Sequence, residues 1–302
     1  MRISDKLLCF LALLVLIETP ISIAGPFSDF KGVVLSDEMT SNPTARRDTP
    51  TSESLKQAEI FLDPSNSLVW PELSKSILGE KEEVIFNKNI KVIVQDIVEE
   101  PHEVPLVIKI PAKLQDLKEF ILIVENNPIQ KVIKITPHRK IETIGMNIRL
   151  ESDSPIRAAI KDKQNIWHVG SKMVYVSSPG GCSIPACDPS IETCQNSEVG
   201  KISVRQFSRK AGAWRIKMKI FHPMDTGFVV LEDNTYIPSY YLDFIKLSDK
   251  NGIIADFETY AALSSDPVIM LDLPKEGNNL EINARDTKGI LYGNIEDTVN
   301  SM

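Results

Sequence analysis

GMNIRLE, residues 145–151, is the stretch that decides the fold. Met146, Ile148 and Leu150 fall on one face of an extended chain, and Asn147, Arg149 and Glu151 on the other. A period of two fits a half-buried strand and not one face of a helix. The same period returns in WRIKMKI (214–220), where Trp214, Ile216, Met218 and Ile220 would point inward, opposite Arg215, Lys217 and Lys219. Between and before these two, IKVIV (90–94), PLVIKI (105–110), EFILIVE (119–125) and KVIKI (131–135) are dense in β-branched residues, and NNP at 126–128 supplies a turn. LVWPELSKSILG, which ends at Gly79, reads as a short helical turn closed by that glycine. No later segment has a long helical pattern. About a dozen short strands over roughly 220 residues predict an all-β chain of two small β-sandwiches in tandem, with a single larger sandwich or barrel as the alternative.

The 302 residues are enough for two domains, and the apolar content of 42% is that of a chain with real cores. With 34 basic against 41 acidic residues and a net charge of -7, no electropositive face is on offer, which argues against nucleic acid as a partner. The first residues, MRISDKLLCFLALLVLIETPISIAG, combine Arg2 and Lys6 with an apolar run from Leu7 to Ile17 and small residues at Ser22 and Ala24. They read as a signal peptide (1–24) of an exported protein with no membrane association in the mature form, with a retained amino-terminal anchor as the alternative. Cys9 would leave with the signal peptide. A polar lead segment (25–66), containing Pro43 and Pro50, reads as flexible. The remaining expected divisions are a first sandwich (67–178), a cysteine-bearing arm (179–200) and a second sandwich (201–297).

That arm contains SSPGGCSIPACDPSIETC, residues 177–194, with Cys182, Cys187 and Cys194. Three cysteines in an oxidising compartment allow one disulfide and leave one thiol. Cys187 with Cys194 would free Cys182, and Cys182 with Cys187 would free Cys194; the spacing does not choose. Gly180, Gly181 and the prolines around Cys182 exclude regular structure, so Cys182 is expected on an exposed, mobile arm. A zinc site would have three thiolates and no obvious fourth ligand. None of His102, His138, His168 and His222 lies close enough in sequence to pair with a cysteine, although folding could bring one near. His222, in FHPMDTG (221–227), reads first as a strand-end residue before the turn formers Asp225, Thr226 and Gly227, and second as a metal or proton-transfer group.

The stretch from Trp70 to Cys182 resembles SoxY, the sulfur-carrier subunit of the periplasmic sulfur-oxidation system, through WPELSKSILG, VPLVIKI, IVENNP, IRLESDSPIRA and VSSPGGC. The stretch from about Lys201 to Gly293 resembles its partner SoxZ through HPMDTGF and IPSYYLDF. The resemblance implies two immunoglobulin-like β-sandwiches. It also implies a carrier, not an enzyme and without a cofactor, whose cysteine binds a sulfur substrate such as thiosulfate covalently and presents it to partner enzymes. Gly180, Gly181 and Cys182 match the first three positions of the family's Gly-Gly-Cys-Gly-Gly arm. Ser183 and Ile184 depart from the last two, and the chain continues past them. In this the chain resembles fused SoxYZ-like carriers associated with quinoprotein dehydrogenases. The implied partners are Sox-type enzymes, a quinoprotein dehydrogenase or a cytochrome c. The alternative expectation is a docking module for such a dehydrogenase or cytochrome, in which the cysteines only brace the linker. A thiol redox enzyme is disfavoured by the absence of a C-x-x-C pair.

Overall fold

The computed structural model describes residues 63–185, 198–209, 212–231 and 233–293. The expected signal peptide, nearly all of the lead segment, and Cys187 and Cys194 lie outside the described residues. Among the described residues no helix is long and apolar enough to cross a membrane.

The architecture is all-β, two immunoglobulin-like sandwiches in tandem. The first half contributes β1 (Val84–Phe86), β2 (Lys91–Ile93), β3 (Ile97–Val98), β4 (Val104–Lys109), β5 (Glu119–Val124), β6 (Lys131–Pro137), β7 (Thr143–Ile148), β8 (Ser154–Lys161) and β9 (Trp167–Val176). The second contributes β10 (Ile202–Ser208), β11 (Trp214–Ile220), β12 (Leu242–Asp249), β13 (Gly252–Thr259), β14 (Val268–Leu273), β15 (Glu281–Asp286) and β16 (Leu291–Gly293). One α-helix, α1 (Trp70–Leu78), precedes them, and the Gly79 N–H donates to Lys75 O at its end.

The two halves are not separate beads on a linker. One sheet runs β1-β9-β8-β5-β6-β13-β12-β15-β16, with β3 paired to β9, and the other runs β10-β11-β14-β7-β4-β2. Each layer crosses from one half to the other through an antiparallel ladder. In the first, Ile133 to Pro137 of β6 pair with Thr259 to Ala255 of β13. In the second, Thr143 to Met146 of β7 pair with Asp272 to Ile269 of β14. Edge strands leave unpaired N–H and C=O groups, and here each half caps the open edges of the other. One core fills the space between the layers across this seam, with Ile133, Ile144 and Met146 from the first half and Phe257, Leu263 and Leu271 from the second. The paired side chains Arg139 and Asp249 clamp the seam with two hydrogen bonds of 2.8 and 2.6 Å. The Arg139 guanidinium holds the Asp249 carboxyl down at about 2.

Strand β5 shows why its sequence is continuously apolar. Phe120, Leu122 and Val124 enter the main core, while Ile121 and Ile123 face the opposite way, under Trp70 and Leu73 of α1. A strand buried on both faces has no polar side to alternate with. Behind the helix, the fully buried Arg157 guanidinium binds both Asp63 oxygens, Glu125 and the Ser171 hydroxyl, and lies 4.9 Å from the Trp70 ring.

Candidate functional site

Beyond β9 the Ser177 N–H donates to Val98 O at 2.9 Å and the chain turns back onto the seam. Gly180 takes a φ of 117°, which side-chain-bearing residues rarely adopt, and its N–H donates to Glu151 O at 2.8 Å. The Gly181 N–H donates to Leu150 O at 3.0 Å. A Cβ at Gly181 would lie 2.3 Å from Pro101 O and 2.5 Å from Leu150 O, so only glycine fits there. The Ile184 N–H closes the turn on Gly180 O at 2.8 Å. The glycine pair therefore serves close packing of the backbone.

Cys182 sits at the centre of this turn, its thiol free and the residue 0% exposed. The exposed, mobile arm expected from the glycines and prolines is thus corrected: the described part of the segment is folded down and pinned from both halves. From the first half, the Glu151 carboxylate accepts from the Cys182 N–H at 3.0 Å, the Ser183 N–H at 3.1 Å and the Ser183 hydroxyl at 2.5 Å. His102 contacts Ile184 O through Nε2 at 3.1 Å, with Nδ1 2.7 Å from Glu100. From the second half, the Thr226 hydroxyl donates to Cys182 O at 2.6 Å. Between the halves lies Arg149, which donates to Gly181 O, Leu263 O, Pro223 O, Met224 O and the Ser265 hydroxyl at 2.8 to 3.4 Å. A cavity of about 500 Å³, lined by Asn126, Asn127, Gln130, Glu151, Ser183 and Phe228 among others, adjoins the turn.

The electrostatics follow from burial. Loss of water pushes the Cys182 thiol up to about 12; the Glu151 charge adds to the rise and Arg149 opposes it. In this position the sulfur is a neutral thiol at pH 7, a poor nucleophile and a poor metal ligand. Arg149 is itself shifted down by burial, partly offset by Cys182 and Asp225.

The HPMDTG segment forms the second-half wall of this site. His222 is fully buried, and its Nδ1 accepts the Met224 N–H at 3.2 Å, which puts the ring proton on Nε2, 4.0 Å from Asp286. Burial pushes the imidazole down to about 4, so it is neutral, and it packs 4.4 Å from the Tyr240 ring. Met224 takes a left-handed φ of 54°, and the strained turn aims Met224 O at Arg149 and the Thr226 hydroxyl at Cys182. His222 thus acts as a strand-end and turn residue, the first of its two expected roles. His138 and His168 pair with Asp256 and Asp162, away from the cysteine. Arg149, Glu151 and Thr226 were inside the quoted motifs, yet nothing in the motifs marked them as the residues that hold the cysteine.

A buried cysteine, cradled where two paired β-sandwiches meet and gripped by side chains from each, defines a two-domain protein whose one described thiol belongs to the interface. Comparison with known proteins says which. The family model "Sulfur oxidation protein SoxY" matches residues 74–182, ending on Cys182 itself, and "Sulphur oxidation protein SoxZ" matches residues 202–292. The chain carries a SoxY and a SoxZ domain in tandem, a fused SoxYZ-like arrangement. A solved structure of the sulfur carrier protein SoxY from Chlorobium limicola f thiosulfatophilum is similar at 12% identity and a TM-score of 0.32, over 36% of this chain and 97% of that one. No curated protein matches the chain.

Proposed function

We propose that this chain is an exported, periplasmic carrier that holds a small sulfur compound covalently on Cys182 and passes it to partner redox enzymes, and is not itself a catalyst. One observation carries the reading. The last residue of the SoxY match is a free cysteine, and the SoxZ match supplies the hydroxyl that grips it. Joining a thiolate to a low-valent sulfur anion through an S–S bond releases two electrons, and starting from the thiol also releases a proton. A partner enzyme must therefore accept the electrons, for which a quinoprotein dehydrogenase or a cytochrome c is suited.

The observed position is the resting one. A buried thiol that ionises near 12 neither attacks nor reaches a second protein, so loading requires residues 180–184 to leave the seam. The cavity beside Glu151 and Ser183 supplies open space at the edge of the turn.

A second reading has an observation of its own. Complete burial of Cys182 suits a sulfur that only packs, in a module that docks a dehydrogenase or cytochrome. Intact mass and tandem mass spectrometry of protein isolated without reductant separate the two. A reductant-sensitive mass increase on Cys182, absent from Cys182→Ser, is the expected result. Cys182 unmodified under every growth condition on reduced sulfur would overturn the carrier reading in favour of the docking module.

A further inference from the structure

We propose that Glu151 is the positioning residue that keeps Cys182 shut, and that release of its carboxylate from residues 182 and 183 is the step that exposes the sulfur. Residue 151 grips the turn at three successive points. Its carbonyl takes the Gly180 N–H, one carboxylate oxygen takes the N–H groups of Cys182 and Ser183, and the other takes the Ser183 hydroxyl. Hydrogen bonds to an ionised acceptor are about twice as strong as neutral ones, so this single side chain outweighs the neutral Thr226 contact on the opposite side. It is also firmly placed: the Glu151 N–H donates to Asn127 Oδ1 at 2.8 Å, and Asn127 Nδ2 donates in turn to Arg149 O at 2.8 Å.

Glu151 differs from the other two grips in one respect. Arg149 and Thr226 hold carbonyl oxygens, whereas Glu151 holds N–H groups and brings a negative charge to the side of the sulfur, where a thiolate would be repelled. Glu151 and Ser183 both line the neighbouring cavity, so their contact lies at its wall. Closure and suppression of ionisation therefore share one residue, and losing its grip would relieve both together.

Iodoacetamide tests this on the full chain. The Cys182 thiolate displaces iodide, forming a C–S bond as the C–I bond breaks, with the thiol proton going to solvent. Tandem mass spectrometry places the label on Cys182 and separates it from Cys187 and Cys194. Glu151→Ala should raise the Cys182 rate by about tenfold or more, the loss expected for one net charge-assisted hydrogen bond. Glu151→Gln, which keeps an acceptor oxygen and loses the charge, should fall between it and the wild type. Thr226→Val should accelerate less than Glu151→Ala. The pH profile is the readout that a purely structural role would not move: the wild-type rate should go on climbing to a higher pH than the Glu151→Gln rate, which should level off nearer the range of a free thiol, while the melting temperature stays near that of the wild type. If Glu151→Ala does not fold, Glu151→Gln decides. A folded Gln variant with the wild-type rate and profile would overturn the proposal. Because alkylation needs no cargo, this result is independent of the carrier reading.

Discussion

Among the described residues two arginines are buried, Arg157 behind the helix and Arg149 at the seam, and they are held in opposite ways. Arg157 faces two carboxylates. Burial alone would raise the Asp63 carboxyl, but hydrogen bonds from Arg157 and from the N–H groups of residues 65 and 67 outweigh it and hold the group below the usual range. Arg149 has five hydrogen bonds and no carboxylate among them, only carbonyls and a hydroxyl. A buried cation satisfied by neutral acceptors binds less rigidly than a charge-paired one, yet it touches loops from both halves and the residue next to Cys182. The difference separates a staple from a hub. Arg157 fixes the start of the described chain to the first sandwich, whereas Arg149 joins the parts that must move apart if the sulfur is to be reached.

Replacing Arg157 by Met should give the largest loss of stability, about 3–5 kcal/mol by urea unfolding, because it leaves the buried Glu125 carboxylate and the partly buried Asp63 carboxylate without a cation. It should leave the rate of Cys182 alkylation in the folded protein unchanged. Replacing Arg149 by Met should cost less, about 2–3 kcal/mol, since carbonyls lose a charged donor and the partly buried Asp225 loses a nearby cation without losing a hydrogen bond to it. It should nevertheless make Cys182 react faster. If both variants accelerated Cys182 equally, or neither did, the distinction between staple and hub would fail.

Arg149 also shows where the sequence stops being readable. In GMNIRLE the alternation places Met146, Ile148 and Leu150 inward, and all three are buried. The same alternation assigns Arg149 to the outer face, and Arg149 is buried too, because Leu263, Ser265 and the 223–224 turn cover that face. Periodicity reports which side of a strand is apolar, not whether a second domain will sit on the polar side. For that reason the strands, the helix closed by Gly79 and the two domain resemblances were legible, while the ladders joining β6 to β13 and β7 to β14 were not. Register between distant edges depends on both partners at once. The cysteine turn failed for a related reason. Gly-Gly-Cys between prolines reads as mobile because each residue lacks a local partner, but here the turn packs against and bonds to Glu151, Thr226 and Pro101, from 31 to 80 residues away in sequence.

The smallest expected effect tests whether the cysteine itself contributes to the hub. Its folded-state pKa lies near 12, above the value of about 8.5 for an unfolded thiol. Between these values the unfolded chain has released the proton and the folded chain has kept it, so stability falls as pH rises through the window and is unaffected below it. The slope approaches about 1.4 kcal/mol per pH unit only while the turn stays shut. Once ionisation outweighs the grip of Glu151 and Thr226, the turn can open without unfolding the sandwiches, and the loss should then level off at about 1–2 kcal/mol, the worth of those few hydrogen bonds. The difference between wild type and Cys182→Ser, followed by urea unfolding from pH 8 upward, isolates this component from tyrosines and lysines that titrate in the same range. The pH at which the two curves become parallel measures the free energy of opening. Curves parallel from the start would mean that the thiol ionises in place, and that the seam does not restrain it.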